Sequence, residues 1–400
     1  MPMTPRENFL LAMSHQTPEW VPVDMGKHIG SVHKTAYPKL REFLGNVPMR
    51  NDQLILDRMA QTVVPDEALL QRFHIDFRWV KPHWVQVKER TDTNGYVDMW
   101  GVPYKGTEDG EHFAVDGAPL AQAATIADLD DFAWPDPEDP DQFQGLREQA
   151  RALYEGTGYV VGADAIKAGP LMTALQMRGY EQFFVDLVSD PEFADALLDR
   201  ITALLKRMWE RYLGEVGDYV QLAYVTDDLG TQTSLLISPK VFRQRLKPRM
   251  KDLHEHIKRC ANVKLMMHSD GAVGPLLDDF LDMGVDILNP VQTSVRGLED
   301  TAALKAKYGD RLAYHGAIDV QQLMPNATVE EVRWEVAKRI HDLGRDGGYV
   351  IAPCHNLGPD IPPQNIATLF DTIHEYGRYP LDLDAPLRTD ASYFARHARA

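Results

Sequence analysis

Along most of the chain, short apolar runs alternate with longer stretches whose apolar residues recur three and four positions apart. The apolar runs predict eight strands, over Trp20–Asp24, Ile75–Val80, Tyr159–Asp164, Val220–Thr226, Val263–His268, Ile287–Val291, Leu312–His315 and Tyr349–Pro353. The longer stretches, such as Pro239–Arg259 and Thr328–Leu343, predict helices with one buried face. Because strands that alternate with helices form parallel sheets, the pattern predicts an α/β fold, a single (β/α)8 TIM barrel over residues 1–400.

Two segments depart from this rhythm. Residues 4–14 begin with Thr4, Pro5 and Glu7, a capping-box pattern that predicts an N-terminal helix ahead of the barrel. Residues 90–141 contain short extended pieces around glycine and Asn-Gly turns, followed by an acidic, proline-rich stretch. We expect an inserted hairpin and a solvated Pro-rich linker there, within the same domain.

Composition narrows the function classes. Forty-two basic and fifty-nine acidic side chains give a formal net charge of −17, which repels phosphate backbones and argues against nucleic-acid binding. No stretch approaches the ~18 consecutive apolar residues of a membrane span, and the first residues lack the order of a secretory signal. We therefore expect a cytoplasmic protein that does not bind membranes. The two cysteines, Cys260 and Cys354, are too few for a disulfide framework or a four-cysteine zinc site.

Polar residues gather where the predicted strands end. In a parallel barrel these carboxyl ends share one rim, where active sites lie, so we expect a small-molecule site there. The candidates are Lys27, His28, Asp227, Asp228, His268, Asp270, Asn289, Gln292, His315, Asp319, Cys354 and His355.

Several of these residues also fit structural roles. Asp227 and Asp228 either cap a helix or serve the site, and adjacent strand positions face opposite ways, so at most one points into the mouth. His268 and Asp270 are two positions apart and share one face of an extended chain. There they could share a metal or a proton, and the alternative for His268 is a hydrogen-bonded core role.

The same choice applies to the first and last strand ends. Lys27 and His28 are either solvated surface groups or cations that bind a substrate carboxylate. Cys354 is either a small buried apolar residue or a ligand. His355 either faces the mouth or supports a neighbour by a hydrogen bond.

The chain resembles the uroporphyrinogen decarboxylase superfamily over nearly its full length. The likeness is carried by TPRENFLLAMSHQTPEWVPV, FHIDF, AGPLMTALQMRG, DDLGTQTSLLISPKVFRQRLKPRMKDL, HSDGAVGPLLDDFLDMGVDILNPVQ, YHGAID and HNLGPDIPPQNI. It implies a (β/α)8 barrel that is commonly a homodimer. It also implies one of two activities, because the superfamily contains heme-pathway decarboxylases and zinc-dependent methyltransferases that exchange methyl groups with corrinoid proteins.

Compared with the decarboxylases, the chain keeps two positions and changes others. His355 in HNLGPDIP is similar to the histidine of their H-G-L-x-P-D segment, and Asp76 in FHIDF lies where they keep an essential aspartate. Their R-Q-A-G-R segment, whose arginines grip substrate propionates, is replaced by MGKHI at residues 25–29. Leu175 stands where their catalytic tyrosine is expected. These changes argue against a substrate with eight carboxylates.

Compared with the methyltransferases, the chain resembles their H-x-C zinc motif at His268, with Asp270 in place of the cysteine. Their later cysteine corresponds to His355, and Cys354 precedes it. The first hypothesis is therefore a methyltransferase in which His268, Asp270 and His355 or Cys354 hold Zn²⁺ with an open position. Such ligands make zinc a harder Lewis acid than two thiolates do, which suits an ether or hydroxyl substrate.

In this hypothesis a methyl group moves between a small substrate and a corrinoid partner, and Asp76, Asp228 and Asn289 orient the substrate. The second hypothesis is a metal-free decarboxylase of a smaller carboxylate, with Asp76 stabilising charge and His355 donating a proton. The third is a ligand-binding scaffold without catalysis.

Overall fold

Seven parallel strands form a curved sheet whose order follows the chain. The computed structural model describes residues 3–45, 47–50, 54–388 and 391–397. We number the strands β1 (Phe77–Val80), β2 (Val160–Ala163), β3 (Leu222–Thr226), β4 (Lys264–His268), β5 (Ile287–Val291), β6 (Ala313–Ile318) and β7 (Tyr349–Pro353). Each strand pairs with the next, and nearly all of their residues are buried, as expected when helices cover a parallel sheet.

A short stretch around Val23 closes the sheet between β7 and β1. On one side Ile351 N donates to Pro22 O at 2.9 Å and Asp24 N to Ile351 O at 3.1 Å; on the other, Asp76 N donates to Val23 O at 2.9 Å. The predicted first strand, Trp20–Asp24, therefore contains isolated bridges at Trp20 and Val23 rather than a continuous strand. Pro22 has no N–H, and that of Val23 goes to the Asp76 carboxylate, so neither extends a ladder. The architecture is the predicted (β/α)8 barrel.

Helices connect the strands. α-Helices occupy Pro5–Ala12, Ala36–Leu44, Glu67–Arg72, Ile126–Asp130, Leu146–Gly156, Pro170–Arg178, Tyr180–Ser189, Pro191–Val216, Pro239–Val241, Lys247–Cys260, Leu277–Asp282, Thr301–Tyr308, Leu323–Asn326, Val329–Leu343, Pro363–Tyr376, Asp384–Leu387 and Tyr393–His397. A π-helical turn lies at Phe242–Leu246, and 3₁₀ turns lie at Pro140–Gln142 and Gly274–Leu276. Within the described ranges, no helix combines the length and apolarity that a bilayer crossing requires.

The N-terminal helix begins at the predicted capping box. Glu7 N donates to Thr4 Oγ1 at 3.2 Å, and the Glu7 carboxylate accepts from Thr4 N at 2.8 Å. The helix Val329–Leu343 begins in the same way at Thr328. Side-chain caps of this kind satisfy N–H groups that have no partner inside the helix.

The inserted segment contains more structure than the predicted hairpin. Four short antiparallel strands pair in chain order at Lys88–Arg90, Gly95–Val97, Pro103–Gly106 and Phe113–Val115. The stacked rings of Tyr96 and Tyr104, 4.7 Å apart, form part of the core of this sheet. A Cβ on Gly95 would lie 1.9 Å from the Tyr104 carbonyl oxygen, so the close pairing requires glycine. The interpretation of the chain as one domain stays a prediction.

Candidate metal centre and cavity

Two histidines and one aspartate meet at the carboxyl end of the barrel. His268 is the last residue of β4, Asp270 follows it by two positions, and His355 comes two positions after β7. One possible ligand atom from each lies within 4.8 Å of the other two. The distance from Asp270 Oδ2 is 3.7 Å to His268 Nε2 and 3.9 Å to His355 Nε2. We call these three residues the His-Asp-His cluster.

The donor set of the His-Asp-His cluster fits a divalent cation such as zinc. Two imidazole nitrogens and one carboxylate oxygen are ordinary zinc ligands, and three protein ligands leave an open position for a substrate. Two ligands that share a tetrahedral ion at about 2.1 Å lie ~3.4 Å apart, so small side-chain shifts bring these atoms to that spacing. His268 is buried, whereas His355 and Asp270 are partly exposed.

The electrostatic environment keeps His355 in the form that binds metals. Desolvation by the walls of the mouth lowers the pKa of His355, although Asp270 opposes this shift. A histidine whose pKa lies below its ordinary value is mostly neutral at neutral pH, with a lone pair on one ring nitrogen. No proton has to leave the ring before an ion binds.

Asp228 is a fourth polar group at this point. Its Oδ1 lies 3.7 Å from His268 Nε2 and accepts a hydrogen bond from Asp270 N at 2.9 Å. Asp228 therefore holds the turn that carries Asp270 and adds negative charge beside the His-Asp-His cluster. Of the two adjacent aspartates, this is the one directed at the predicted site.

Asp227 caps a helix instead. Its carboxylate accepts hydrogen bonds from Leu171 N at 3.0 Å and Met172 N at 2.7 Å, at the start of the helix Pro170–Arg178. Burial raises the pKa of Asp227 to about 7 despite these two donors. Both of its oxygens accept hydrogen bonds from the main chain, but Asp227 also lines the cavity beside the cluster, and its substrate-binding role stays a prediction.

Asn289 contacts the buried ring nitrogen of His268. The two residues lie side by side in register on β5 and β4. Asn289 Oδ1 is 2.8 Å from His268 Nδ1 and accepts a hydrogen bond from the Tyr224 hydroxyl at 3.0 Å. Asn289 was predicted to orient a substrate, but it lies behind His268 and contacts that ring.

A second histidine continues these contacts to a buried aspartate. His315 Nδ1 lies 2.7 Å from Asn289 Nδ2, and His315 Nε2 lies 2.9 Å from Asp24 Oδ2. Trp79 Nε1 donates to Asp24 Oδ1 at 2.9 Å, and Lys27 Nζ lies 3.5 Å from Asp24 Oδ2. Burial, with a contribution from Lys27, lowers the pKa of His315 to about 4. His315 is therefore a neutral buried ring, and the predicted substrate-binding role does not fit it.

The predicted pair Lys27 and His28 is divided between core and cavity. Lys27 is 1% exposed, and burial lowers its pKa although Asp24 opposes the shift. It is thus neither a surface cation nor free to bind a substrate carboxylate. His28 lines the cavity, and its Nδ1 lies 2.5 Å from Asp164 Oδ1 while its main-chain N–H donates to Asp164 Oδ2 at 2.9 Å.

Gln292 and Asp319 support loops at the rim. Gln292 Oε1 accepts a hydrogen bond from Gly271 N at 2.9 Å, directly after Asp270. Asp319 is buried, and its Oδ1 caps the short helix Leu323–Asn326. Gln292 therefore stabilises the turn of the site, and the predicted substrate-binding role does not fit Asp319.

Two further predicted residues lie away from the His-Asp-His cluster. Cys354 is buried, and its thiol donates to Val291 O at 3.2 Å, so it is not among the residues whose ligand atoms converge. Asp76 precedes β1 and so lies at the opposite end of the barrel, where it accepts hydrogen bonds from Trp20 Nε1 and Val23 N. Burial raises its pKa to about 7. Asp76 therefore lies away from the His-Asp-His cluster, and its catalytic role stays a prediction.

A cavity of about 180 Å³ opens beside the cluster. His28, Asp228, His268 and His355 form a polar side of it. Asp227, also predicted from the sequence, lies in the wall, whereas sequence reasoning missed Met59, Trp84, Tyr104, Ile166, Met172 and Gln176. Gln176 Oε1 is buried and has no hydrogen-bond partner among the described residues. These residues come from loops, from the inserted sheet and from a helix, so the pattern of strand ends could not indicate them.

Comparisons with known proteins agree on one family. A family model described as uroporphyrinogen decarboxylase (URO-D) matches residues 113–376. The uroporphyrinogen decarboxylase of Psychromonas ingrahamii is 33% identical over 102 residues, 26% of this chain and 27% of that protein. That of Pseudomonas aeruginosa strain LESB58 is 22% identical over 259 residues, 63% of this chain and 69% of that protein.

A solved structure is similar over almost the whole barrel. A methyltransferase from Methanosarcina mazei superposes with a TM-score of 0.64, at 18% identity, and the match covers 94% of this chain and 99% of that one. At this identity the likeness shows a shared fold. With the first curated relative, by contrast, the chain spans only 27% of the relative's length.

Proposed function

The chain belongs to the uroporphyrinogen decarboxylase family, and from that premise we propose that it is a zinc-dependent methyltransferase. It would move a methyl group between a small substrate and a corrinoid carried by a partner protein. The observation that carries the proposal is the His-Asp-His cluster, in which three ligand atoms lie within 4.8 Å of one another beside a cavity. The fold shared with a methyltransferase over 94% of the chain supports it.

Each part of the site has a role in this reaction. His268, Asp270 and His355 would bind the zinc, which acts as a Lewis acid on the heteroatom that carries the methyl group. Asp228 holds the turn of Asp270 and so keeps the ligands in place. The apolar part of the cavity wall excludes water from the methyl group, which limits competing hydrolysis.

The proposed methyl transfer needs no added oxidant. When a methyl ether is the donor, its carbon–oxygen bond breaks, and the oxygen keeps the electron pair and later takes up a proton. A reduced corrinoid would supply the electron pair of the new bond, and the methyl group would be transferred to it as a cation equivalent. His28, held by Asp164, lies in the same cavity and is placed to deliver that proton.

The two alternatives are less consistent with the geometry. The decarboxylase hypothesis needs Asp76 and His355 in one site, and these residues lie at opposite ends of the barrel. The scaffold hypothesis predicts scattered polar groups at the rim, whereas the ligand atoms of His268, Asp270 and His355 converge.

Metal analysis and a transfer assay test the proposal together. The purified protein should contain about one zinc per chain, and a chelator should remove both the zinc and the activity. With methyl ethers labelled in the methyl group, the label should pass to added reduced cobalamin. Full activity in a metal-free preparation would refute the zinc assignment, and release of a labelled carboxyl group as CO2 would identify a decarboxylase. Sedimentation of the same sample tests the homodimer that the family implies.

A further inference from the structure

We propose that Asp24 determines which ring nitrogen of His268 carries the proton, acting through His315 and Asn289. Four side chains form a continuous series of contacts from Asp24 Oδ2 to His268 Nδ1, with distances of 2.9, 2.7 and 2.8 Å. We call this series the Asp24 relay. Its effect on metal binding rests on the proposed function, whereas its effect on the ring proton does not.

Asp24 fixes which atom donates in the first hydrogen bond of the Asp24 relay. Although burial favours its protonated form, Lys27 and the groups around it lower the pKa of Asp24, so its carboxylate is ionised and only accepts hydrogen bonds. The contact of 2.9 Å therefore requires a proton on His315 Nε2. Trp79 Nε1 occupies the other carboxylate oxygen and fixes which one faces His315.

The tautomer of His315 determines the orientation of the Asn289 amide. A neutral imidazole carries one N–H, so a proton on Nε2 leaves Nδ1 with a lone pair. That lone pair needs a donor, and the group 2.7 Å away must be the amide NH2 of Asn289. The amide oxygen then points to the opposite side, where the Tyr224 hydroxyl donates to it as well.

The orientation of the Asn289 amide in turn determines which nitrogen of His268 carries the proton. Because the amide oxygen of Asn289 only accepts, His268 must donate from Nδ1 across the contact of 2.8 Å. In the neutral ring, Nε2 then has a free lone pair, and this atom faces Asp228 and Asp270 at 3.7 Å. A lone pair at this place is what a metal ion requires, and outer partners of this kind raise the affinity of a ligating histidine.

Burial makes each contact of the Asp24 relay depend on its side-chain partner. Asp24 and Asn289 are fully buried, and His315 and His268 are at most 2% exposed. Water cannot replace a missing partner there, so each link depends on the next. Asp24 is thus a positioning residue for a ring that it does not touch.

Nitrogen NMR of the metal-free protein tests the relay directly. In a sample labelled with ¹⁵N-histidine, long-range ¹H–¹⁵N correlations show which ring nitrogen is protonated, and His268→Gln and His315→Gln variants assign the two rings. We expect a proton on Nδ1 of His268 and on Nε2 of His315. A proton on Nε2 of His268 would overturn the proposal, even when the Asp24 variant does not fold.

The Asp24→Asn variant tests the origin of the order. Trp79 would still bind the side-chain oxygen at this position, so the new NH2 group would face His315 and donate to its Nε2. Each bond of the relay should then reverse, and the proton of His268 should move to Nε2. Unchanged protonation in a folded variant would show that Asp24 does not set the order.

Zinc titration of the same variants separates the relay from the proposed function. Asp24→Asn should lower zinc affinity by roughly 10- to 100-fold, the usual effect of losing an outer partner. Tyr224→Phe, the matched control, removes a donor to Asn289 without reversing any bond, so its protonation pattern should equal that of the wild type. Reversed protonation with unchanged zinc affinity would support the relay and contradict the role of His268 as a zinc ligand.

Discussion

Asp270 Oδ2 and His268 Nε2 face each other across 3.7 Å. This distance is too long for a hydrogen bond and is close to the separation of two ligands on one ion. Directly before His355 in the sequence, the thiol of Cys354 donates to Val291 O instead. Of these two neighbours, only His355 belongs to the His-Asp-His cluster.

We expect Asp270→Asn and His355→Gln to lower zinc affinity by more than about 100-fold, because loss of a direct ligand should exceed the effect of losing an outer partner. Competition with a chelating dye measures the affinity. Cys354→Ser is the matched control and should bind zinc as the wild type does. A loss of zinc in that control, with the aspartate and histidine variants unaffected, would place the thiol among the ligands.

The free energy of unfolding of Asp76→Asn, relative to that of the wild type, should increase as the pH rises from about 4 to about 7. In the wild type, the folded pKa of Asp76 is about 7, above its ordinary value of 3.8, so folding takes up a proton in this window. The stability that the wild type gains from that proton is lost as the pH rises, by at most ~1.4 kcal/mol per pH unit. An asparagine amide does not titrate, so the variant has no such loss.

Urea unfolding of variant and wild type at about pH 4.5 and about pH 7.5 measures this difference. The same variant should keep the zinc affinity of the wild type, because Asp76 lies at the other end of the barrel. A stability difference that does not change with pH would contradict the raised pKa.

Gly169→Ala should destabilise the fold by about 1–3 kcal/mol, the usual cost of overpacking. A Cβ at this position would lie 2.7 Å from the buried side chain of Asp227, which caps the helix Pro170–Arg178. Gly214→Ala is the control: it lies inside the helix Pro191–Val216, where a Cβ meets no atom within 4 Å. That control should stabilise the protein by up to ~1 kcal/mol. Equal effects in the two variants, measured by chemical unfolding, would show that the cap tolerates the added atom.

Gln176→Leu should raise the free energy of unfolding by about 1 kcal/mol, since it removes a buried oxygen without a partner in the described structure. Gln142→Leu is the matched opposite: this buried glutamine donates to Asp136 O at 2.9 Å, so its loss should destabilise by about 1 kcal/mol. If the oxygen of Gln176 accepts from a substrate hydroxyl or N–H, KM for such substrates should also rise. Destabilisation by both changes would indicate that Gln176 is already satisfied.

The barrel and half of the site were accessible to sequence reasoning. Seven strands lie within about three residues of their predicted bounds, because buried parallel strands are continuous apolar runs that contrast with the helices between them. His268, Asp270 and His355 could be placed together because each follows the end of a strand. Trp84 and Gln176 could not, since they reach the cavity from a loop and a helix whose paths depend on tertiary packing.

Asp76 and Lys27 lie away from the predicted site because of small local differences between the predicted and the observed backbone. Asp76 comes just before its strand rather than after it, and in a barrel this puts a side chain at the opposite end. Lys27 lies in a turn in which Gly26 N donates to Gly30 O, with φ values of +108° and +129° at the two glycines. These conformations turn the lysine inward toward Asp24, and residue types alone do not reveal that direction.

The closure of the barrel near Val23 has a consequence for how the protein matures. The barrel closes only when the segment around Val23 meets Ile351 of β7, 328 positions later in the sequence. Asp24 lies where the barrel closes, and His355 follows Asp24 by 331 positions in the sequence. The Asp24 relay therefore joins segments that meet only when the barrel is closed, so a partly folded chain with an open barrel would lack it.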